Sequence, residues 1–324
     1  MKNYDIRASL PPAMRQGTEH LLLFESRNIP GTIKTADRKA FLRDNPLPSQ
    51  HEPDTFVDKM LKLEMGLGTT LASLAGLFTA AGELKAEKVL AGIERFEQIV
   101  SLTKAKLPAI KIKPLYKLLG KKLYNSPYET DPSFALSSTL ENMGGQDIKI
   151  GNCILGAGIF ALVGQELGLS VQAAHALDEI HALAYFNKQH RNYETGPGSW
   201  FSWRRTSLNW AYSNKKLVIG SSFLYTAMLM LSILLRKVRD LNEDSVFQKN
   251  KVPGSKASLL ALQTVETIDP FFSWVSKLRS DCYSLIGDPQ QAAEHSRYAK
   301  SLRALAKSKG PAPIIRIPTK LEIK

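Results

Sequence analysis

The segment from Cys153 to Gly168, CILGAGIFALVGQELG, limits what this chain can fold into more than any other. Ile154, Ile159, Phe160, Leu162, Val163 and Leu167 recur at helical spacing and draw one apolar side. Asn152 suits the N-cap, because its side-chain oxygen can accept from a first-turn N–H that has no partner within the helix. Gly168 suits the C′ position, where a left-handed backbone is least costly for glycine. The period changes after that. SVQAAHAL and IHALAYF read as strands with Asp178–Glu179 as the turn between them, and the second continues through Asn187–Lys188 into HRNYET. A helix followed at once by strand, strand and strand predicts an α+β fold in which the helix packs on a small antiparallel sheet.

Helical patterns lie on both sides of this unit. Residues 1–52 are rich in Pro, Arg and short apolar patches and read as an irregular N-terminal arm. Helix begins at Pro53–Asp54, where DTFVDKMLKLEMG spaces Phe56, Met60, Leu63 and Leu67 along one side, and Gly66 and Gly68 interrupt. Two further helices follow, TTLASLAGLFTAAG and ELKAEKVLAGIERFEQIVSLTKAK, the latter with Leu84, Val89, Ile93, Phe96 and Val100 as its stripe. Pro108 and Pro114 are expected to end this block. A short helix from Pro132 to about Asn142 stops at Gly144–Gly145. GPGSWFSW is a loop, and Ser207 to about Ser308 is helical again. Within that stretch Asp269–Pro270 separates two runs and Gly287–Asp288 supplies a turn, with small Ala292 and Ala299 allowing close helix approach. The expected organisation is therefore 1–52 arm, 53–206 mixed domain with N-terminal helices, 207–308 helical domain and 309–324 basic tail.

The 324 residues are 44% hydrophobic and 23% charged, enough for a sizeable core in one large domain or two modest ones. Two cysteines cannot build a disulfide framework, so both are expected to be free thiols in a reducing, cytoplasmic setting. The first residues carry no continuous apolar run of the secretory kind. A net charge of +13 favours an acidic partner. The lysines are nonetheless dispersed. The densest run, Lys104 to Lys122, and the tail lack the aromatic interleaving of a single-strand binder and any DNA-reading motif, so no specific nucleic-acid recognition is expected. Leu217 to Leu235 is uncharged and close to spanning length, but Gly220, Ser221, Ser222, Tyr225, Thr226 and Ser232 make it a buried helix rather than a membrane span.

Chemistry concentrates where the periods change. Cys153 stands in a first helical turn, where unpaired N–H groups and the helix dipole favour thiolate, the nucleophilic form. A tight turn at Asn187–Lys188 sets residues whose numbers total about 375 opposite one another, which makes His181 and Glu194 cross-strand neighbours. A carboxylate there can orient an imidazole. His175, on the preceding strand, is an alternative base. A metal held by His175, His181, His190 and Cys153 is disfavoured, because H-x5-H-x8-H matches no zinc spacing, so no metal and no cofactor is expected. Gln146 and Asn152, just ahead of the thiol, are candidate oxyanion donors.

Gly151-Asn152-Cys153 opening a helix, His181-Ala182 on a following strand and Tyr193-Glu194-Thr195 ending the next resemble the transglutaminase-like branch of the papain-type cysteine enzymes. The likeness covers about residues 125–200. Asp269 to Leu302 loosely resembles the tetratricopeptide-like helices that a bacterial subgroup carries at its C-terminus, although a plain helical hairpin fits nearly as well. The resemblance implies a transglutaminase-like core with a Cys153–His181–Glu194 triad, an upstream Gln146 as oxyanion donor, and a protein or peptide substrate whose amide is hydrolysed or transferred. Glu194 stands where Asp is common, and no aromatic residue follows His181. The superfamily also holds inactive binding proteins, so the alternative is a non-catalytic interaction module with a peptide-binding helical tail.

Overall fold

The computed structural model describes residues 29–107, 109–123, 136–142, 153–176, 180–186, 191–194, 217–243, 251–269, 272–307 and 315–316. Its helices are α1 (Arg38–Asp44), α2 (Pro53–Leu67), α3 (Thr69–Ala80), α4 (Ala86–Lys106), α5 (Ile112–Leu123), α6 (Leu136–Asn142), α7 (Cys153–Glu166), α8 (Phe223–Glu243), α9 (Lys251–Ile268), α10 (Ser273–Ile286) and α11 (Pro289–Lys307). Its strands are β1 (Val171–Ala176), β2 (Ala182–Phe186), β3 (Arg191–Glu194), β4 (Leu217–Gly220) and β5 (Ile315–Arg316). They form one sheet in the order β3-β2-β1-β4-β5, antiparallel except for the short parallel pair β4–β5. The expected α+β class, a helix on a mainly antiparallel sheet amid other helices, is what the chain adopts.

Two helices have no solvent side. Every residue of α3 and every residue from Ile154 to Gly164 of α7 is buried. A helix that is apolar all round belongs inside a core, and α7 is enclosed by α3, α4, α5, α8 and the sheet. Glycine permits the close approaches. A Cβ on Gly164 would lie 3.0 Å from Val171 Cγ2, and one on Gly76 of α3 would lie 2.5 Å from Thr226 Oγ1 of α8. On the sheet side Ala173, Ala182 and Ala184 join the core that holds α7, whereas Ala174, Leu183, Tyr185 and Ile219 form a separate cluster on the opposite face. This is the strand period of two expressed as two buried faces.

The end of α7 follows the sequence expectation. Gly168 has φ +80°, its N–H donates to Gln165 O at 2.9 Å, and the Leu169 N–H donates to Gly164 O at 2.9 Å. Those two bonds make a Schellman motif with Gly168 at C′. The Gln165 side-chain amide then donates to Val171 O at 2.9 Å and to Ser222 Oγ at 2.7 Å, tying the end of α7 to the starts of β1 and α8.

Several expectations need correction. Part of the N-terminal arm is ordered into the core: a 3-10 turn at Thr35–Asp37 leads into α1, Leu42 and Leu47 are buried, and the Ile29 N–H donates to Thr69 Oγ1 at 2.9 Å. Pro114 does not end a helix but lies in the first turn of α5, where its missing N–H has no intrahelical acceptor to lose. The buried-helix reading of Leu217 to Leu235 is half right. Leu217–Gly220 is strand β4, and α8 starts at Phe223 and runs on to Glu243. A boundary at 206/207 therefore cuts through one fold, because β4 pairs with β1 and α8 packs on α3 and α7. The basic tail contributes β5. Among the described residues no helix is long and apolar enough to cross a membrane.

Candidate active site

Chain topology sets His175, His181 and Glu194 at one end of the sheet. The end of α7 is bound to the start of β1, and His175 stands toward the other end of that strand. His175 pairs with Ala182, which places His181, the next residue back, at that same end. β3 runs back along β2 and finishes there at Glu194. Tyr225 of α8 crosses the layers on the way. Its ring packs on Gly158 of α7, and its hydroxyl donates to Leu183 O of β2 at 2.9 Å. Burial raises the phenol far above its ordinary value, so this hydroxyl stays a donor.

The register differs from the expected one. Glu194 is opposite Leu183, not opposite His181. His181 precedes β2, is half-buried, and is a diagonal neighbour of Glu194 rather than a facing one. Diagonal positions lie about 7–8 Å apart between Cα atoms, against about 4.5–5.5 Å for facing pairs. Leu183, the partner of Glu194, belongs to the face turned away from α7. Gln146, Asn152 and His190 lie outside the described residues.

Cys153 is the first residue of α7, partly exposed and packed at the edge of the core. The other thiol, Cys282, is buried in α10 and is pushed up to about 12, first by burial and then by the neighbouring Asp281. The two cysteines thus differ as an accessible group at a helix start and a sealed, protonated one.

The arrangement that sequence reasoning missed is His175 with Asp269. His175 Nε2 and Asp269 Oδ2 are 2.5 Å apart, and both side chains are 0% exposed. Phe272 stacks on the imidazole at 3.9 Å with 20° between the ring planes. The contact with Asp269 holds the position and plane of the ring. Asp269 is itself held by its N–H, which donates to Val265 O at 2.8 Å at the end of α9. Tyr298 of α11 reaches the same neighbourhood, and its phenol is raised by burial and by Glu266 and Asp269. A pair separated by 94 residues leaves no local signal; the one available hint was an acidic residue at a helix end before proline. Among the described residues no group of His, Cys, Asp and Glu is placed to hold a metal ion. Comparison with protein-family models, with curated proteins and with solved structures finds no match to this chain.

Proposed function

We propose that the protein is a thiol-dependent amide hydrolase or acyl transferase whose nucleophile is Cys153. The observation that carries the reading is the thiol's place: partly exposed, at the start of a helix buried from Ile154 to Gly164, which packs on the sheet that carries His175, His181 and Glu194. First-turn N–H groups favour thiolate and can hold a developing oxyanion. The thiolate attacks an amide carbonyl, a histidine takes and then returns the proton, and an acyl-thioester forms. Water completes hydrolysis, and an amine completes transfer. The transglutaminase-like resemblance assigns the proton to His181 with Glu194 behind it, and assigns a protein or peptide substrate.

The α10–α11 hairpin turns at Gly287, whose φ is +81°, and buries Ala292 and Ala299. It suits the tetratricopeptide-like role of presenting a peptide to the site. The basic surface suits an acidic partner, and free thiols suit a reducing cytoplasm. Incubation with an acyl- or amide-directed covalent probe, followed by mapping of the adduct, tests the reading. Labelling at Cys153 that Cys153→Ser abolishes is the expected result. Absence of label there overturns it in favour of a non-catalytic interaction module, a reading favoured by the complete sealing of His175 and Asp269, which serves packing as well as chemistry.

A further inference from the structure

The charges along α4 and α5 are sorted by sign. α4 carries Glu87, Glu94 and Glu97 toward its start and ends on Lys104 and Lys106. From Gln98 to Tyr128 the sequence holds seven lysines, no arginine, no aspartate and no glutamate. Lys104, Lys106, Lys111, Lys113 and Lys117 are all exposed. A helix dipole favours cations in the last turn, which accounts for Lys104 and Lys106. It does not account for α5. There Ile112, Leu115, Tyr116 and Leu119 are buried, and Lys113 and Lys117 stand one turn apart on the exposed side. Like charges at that spacing repel. A surface that meets only water ordinarily intersperses both signs.

The lysines belong to one patch. The chain from Lys106 to Lys111 reaches at most ~18 Å, and Lys117 lies about 8 Å along α5 from its first residue. Steps of that size are near the Debye length of about 10 Å at 0.1 M salt, so the separate fields merge. Leu102 stands among these charges. It is 54% exposed and lies one turn before Lys106 on α4, whereas Val89, Ile93 and Phe96 of the same helix are fully buried. Ala105 and Ala109 follow it and are exposed as well. The residue types select among anionic partners. Arginine, whose fork of donors grips phosphate in a fixed geometry, is missing from the run. Tyr116, the one aromatic residue of α5, is buried and offers no ring for a base to stack on. Lysine heads over aliphatic surface, with a leucine between them, suit the phosphate level of a bilayer.

We propose that the corner formed by the end of α4 and by α5 is a docking surface for an anionic phospholipid bilayer, on which the protein lies without crossing it. The lysines supply the attraction to lipid headgroups, and Leu102 enters the boundary between headgroups and acyl chains. The buried side of α5 stays in the protein core, so docking requires no unfolding of that helix. This role does not depend on Cys153 and stands apart from the thiol-enzyme reading.

Co-sedimentation of the full chain with lipid vesicles tests this. Vesicles of phosphatidylcholine with about 30% phosphatidylserine are expected to bind the protein at about 0.1 M salt and to release it at about 0.5 M, whereas phosphatidylcholine alone does not bind. Each lysine near the surface is worth a factor of about 5, so Lys104→Gln, Lys106→Gln and Lys111→Gln together are expected to lower the partition coefficient about 100-fold. Leu102→Ser is expected to lower it severalfold and to leave the salt dependence in place. Lys62→Gln, Lys256→Gln and Lys300→Gln remove the same charge from exposed positions elsewhere and are expected to change binding little. All these side chains are exposed, and coincident thermal melts show that the variants keep the fold. No binding to the phosphatidylserine vesicles, an equal loss in the two triple variants, or equal binding to neutral vesicles overturns the proposal. So does a Lys104–Lys106–Lys111 variant that keeps its hold on vesicles and loses it on duplex DNA or an acidic peptide.

Discussion

Cys282 and Glu64 show how burial sets the state of single groups. Because the folded Cys282 thiol is raised, it keeps its proton until the pH passes through about 12, and its titration leaves stability unchanged over the physiological range. Native protein is therefore expected to be alkylated at Cys153 alone, with Cys282 labelled only after denaturant, as read by peptide mass. Glu64 is buried in α2 and accepts from Thr69 Oγ1 at 2.7 Å. Burial raises its carboxyl, with the Thr69 bond opposing. A raised carboxyl favours the fold when protonated, so its contribution is present below the ordinary carboxylate range and is lost as pH rises through the folded value. Glu64→Gln keeps an acceptor for Thr69 and removes this loss. It is expected to raise Tm by about 2 °C at neutral pH, with the gain disappearing toward pH 4, as followed by circular dichroism melts.

At the scale of elements, glycines record where helices touch. A Cβ on Gly92 of α4 would lie 2.1 Å from Phe78 Cζ of α3. Gly92→Ala is expected to destabilise by about 1–3 kcal/mol in urea unfolding, with partial recovery when Phe78→Leu is added, since the cost is overpacking at one contact. Gly168 has open space where a Cβ would go but a φ of +80°. Gly168→Ala should therefore cost about 1 kcal/mol through backbone strain, and no change at a neighbouring side chain should recover it. Glu83 shows another joint. Its carboxylate accepts from the N–H groups of Leu136 and Ser137 at 2.9 and 3.0 Å and from the Ser137 hydroxyl, capping α6 from a distant turn.

For the whole molecule the decisive fact is that, among the described residues, elements from both sides of 206/207 share one large core. β4 is inserted beside β1, α8 packs on α3 and α7, and α9 packs on α2. His175 and Asp269 bind the sheet to the C-terminal helices from inside. Calorimetry of the full chain is expected to give a single unfolding transition. A fragment of residues 1–206 lacks β4 and the helices that cover α3 and α7, and is expected to give no cooperative transition. Two separate transitions, with the fragment retaining one of them, would restore the boundary at 206/207.

The sequence by itself determined those features whose physics is local. α7 with its Gly168 terminator, the three strands after it, the helices opening at Pro53 and the Gly287 turn depend on contacts within a few residues, and each stands where the pattern placed it. Tertiary structure decided the rest. The β2–β3 register differs by two residues from the expected one. With a side-chain period of two, a shift of two keeps every residue on its face, so the apolar pattern has no means of telling the two registers apart. Leu217–Gly220 became a strand because a short apolar run is compatible with either structure until a partner strand is present. Gly156, Gly158 and Gly164 carry no apolar signal, yet they are buried, because enclosure on all sides depends on neighbouring elements that the sequence of α7 does not specify. Asp269, just past α9, and Phe272, just before α10, meet His175 of β1 across about a hundred residues of chain, a contact that exists only once the chain has closed.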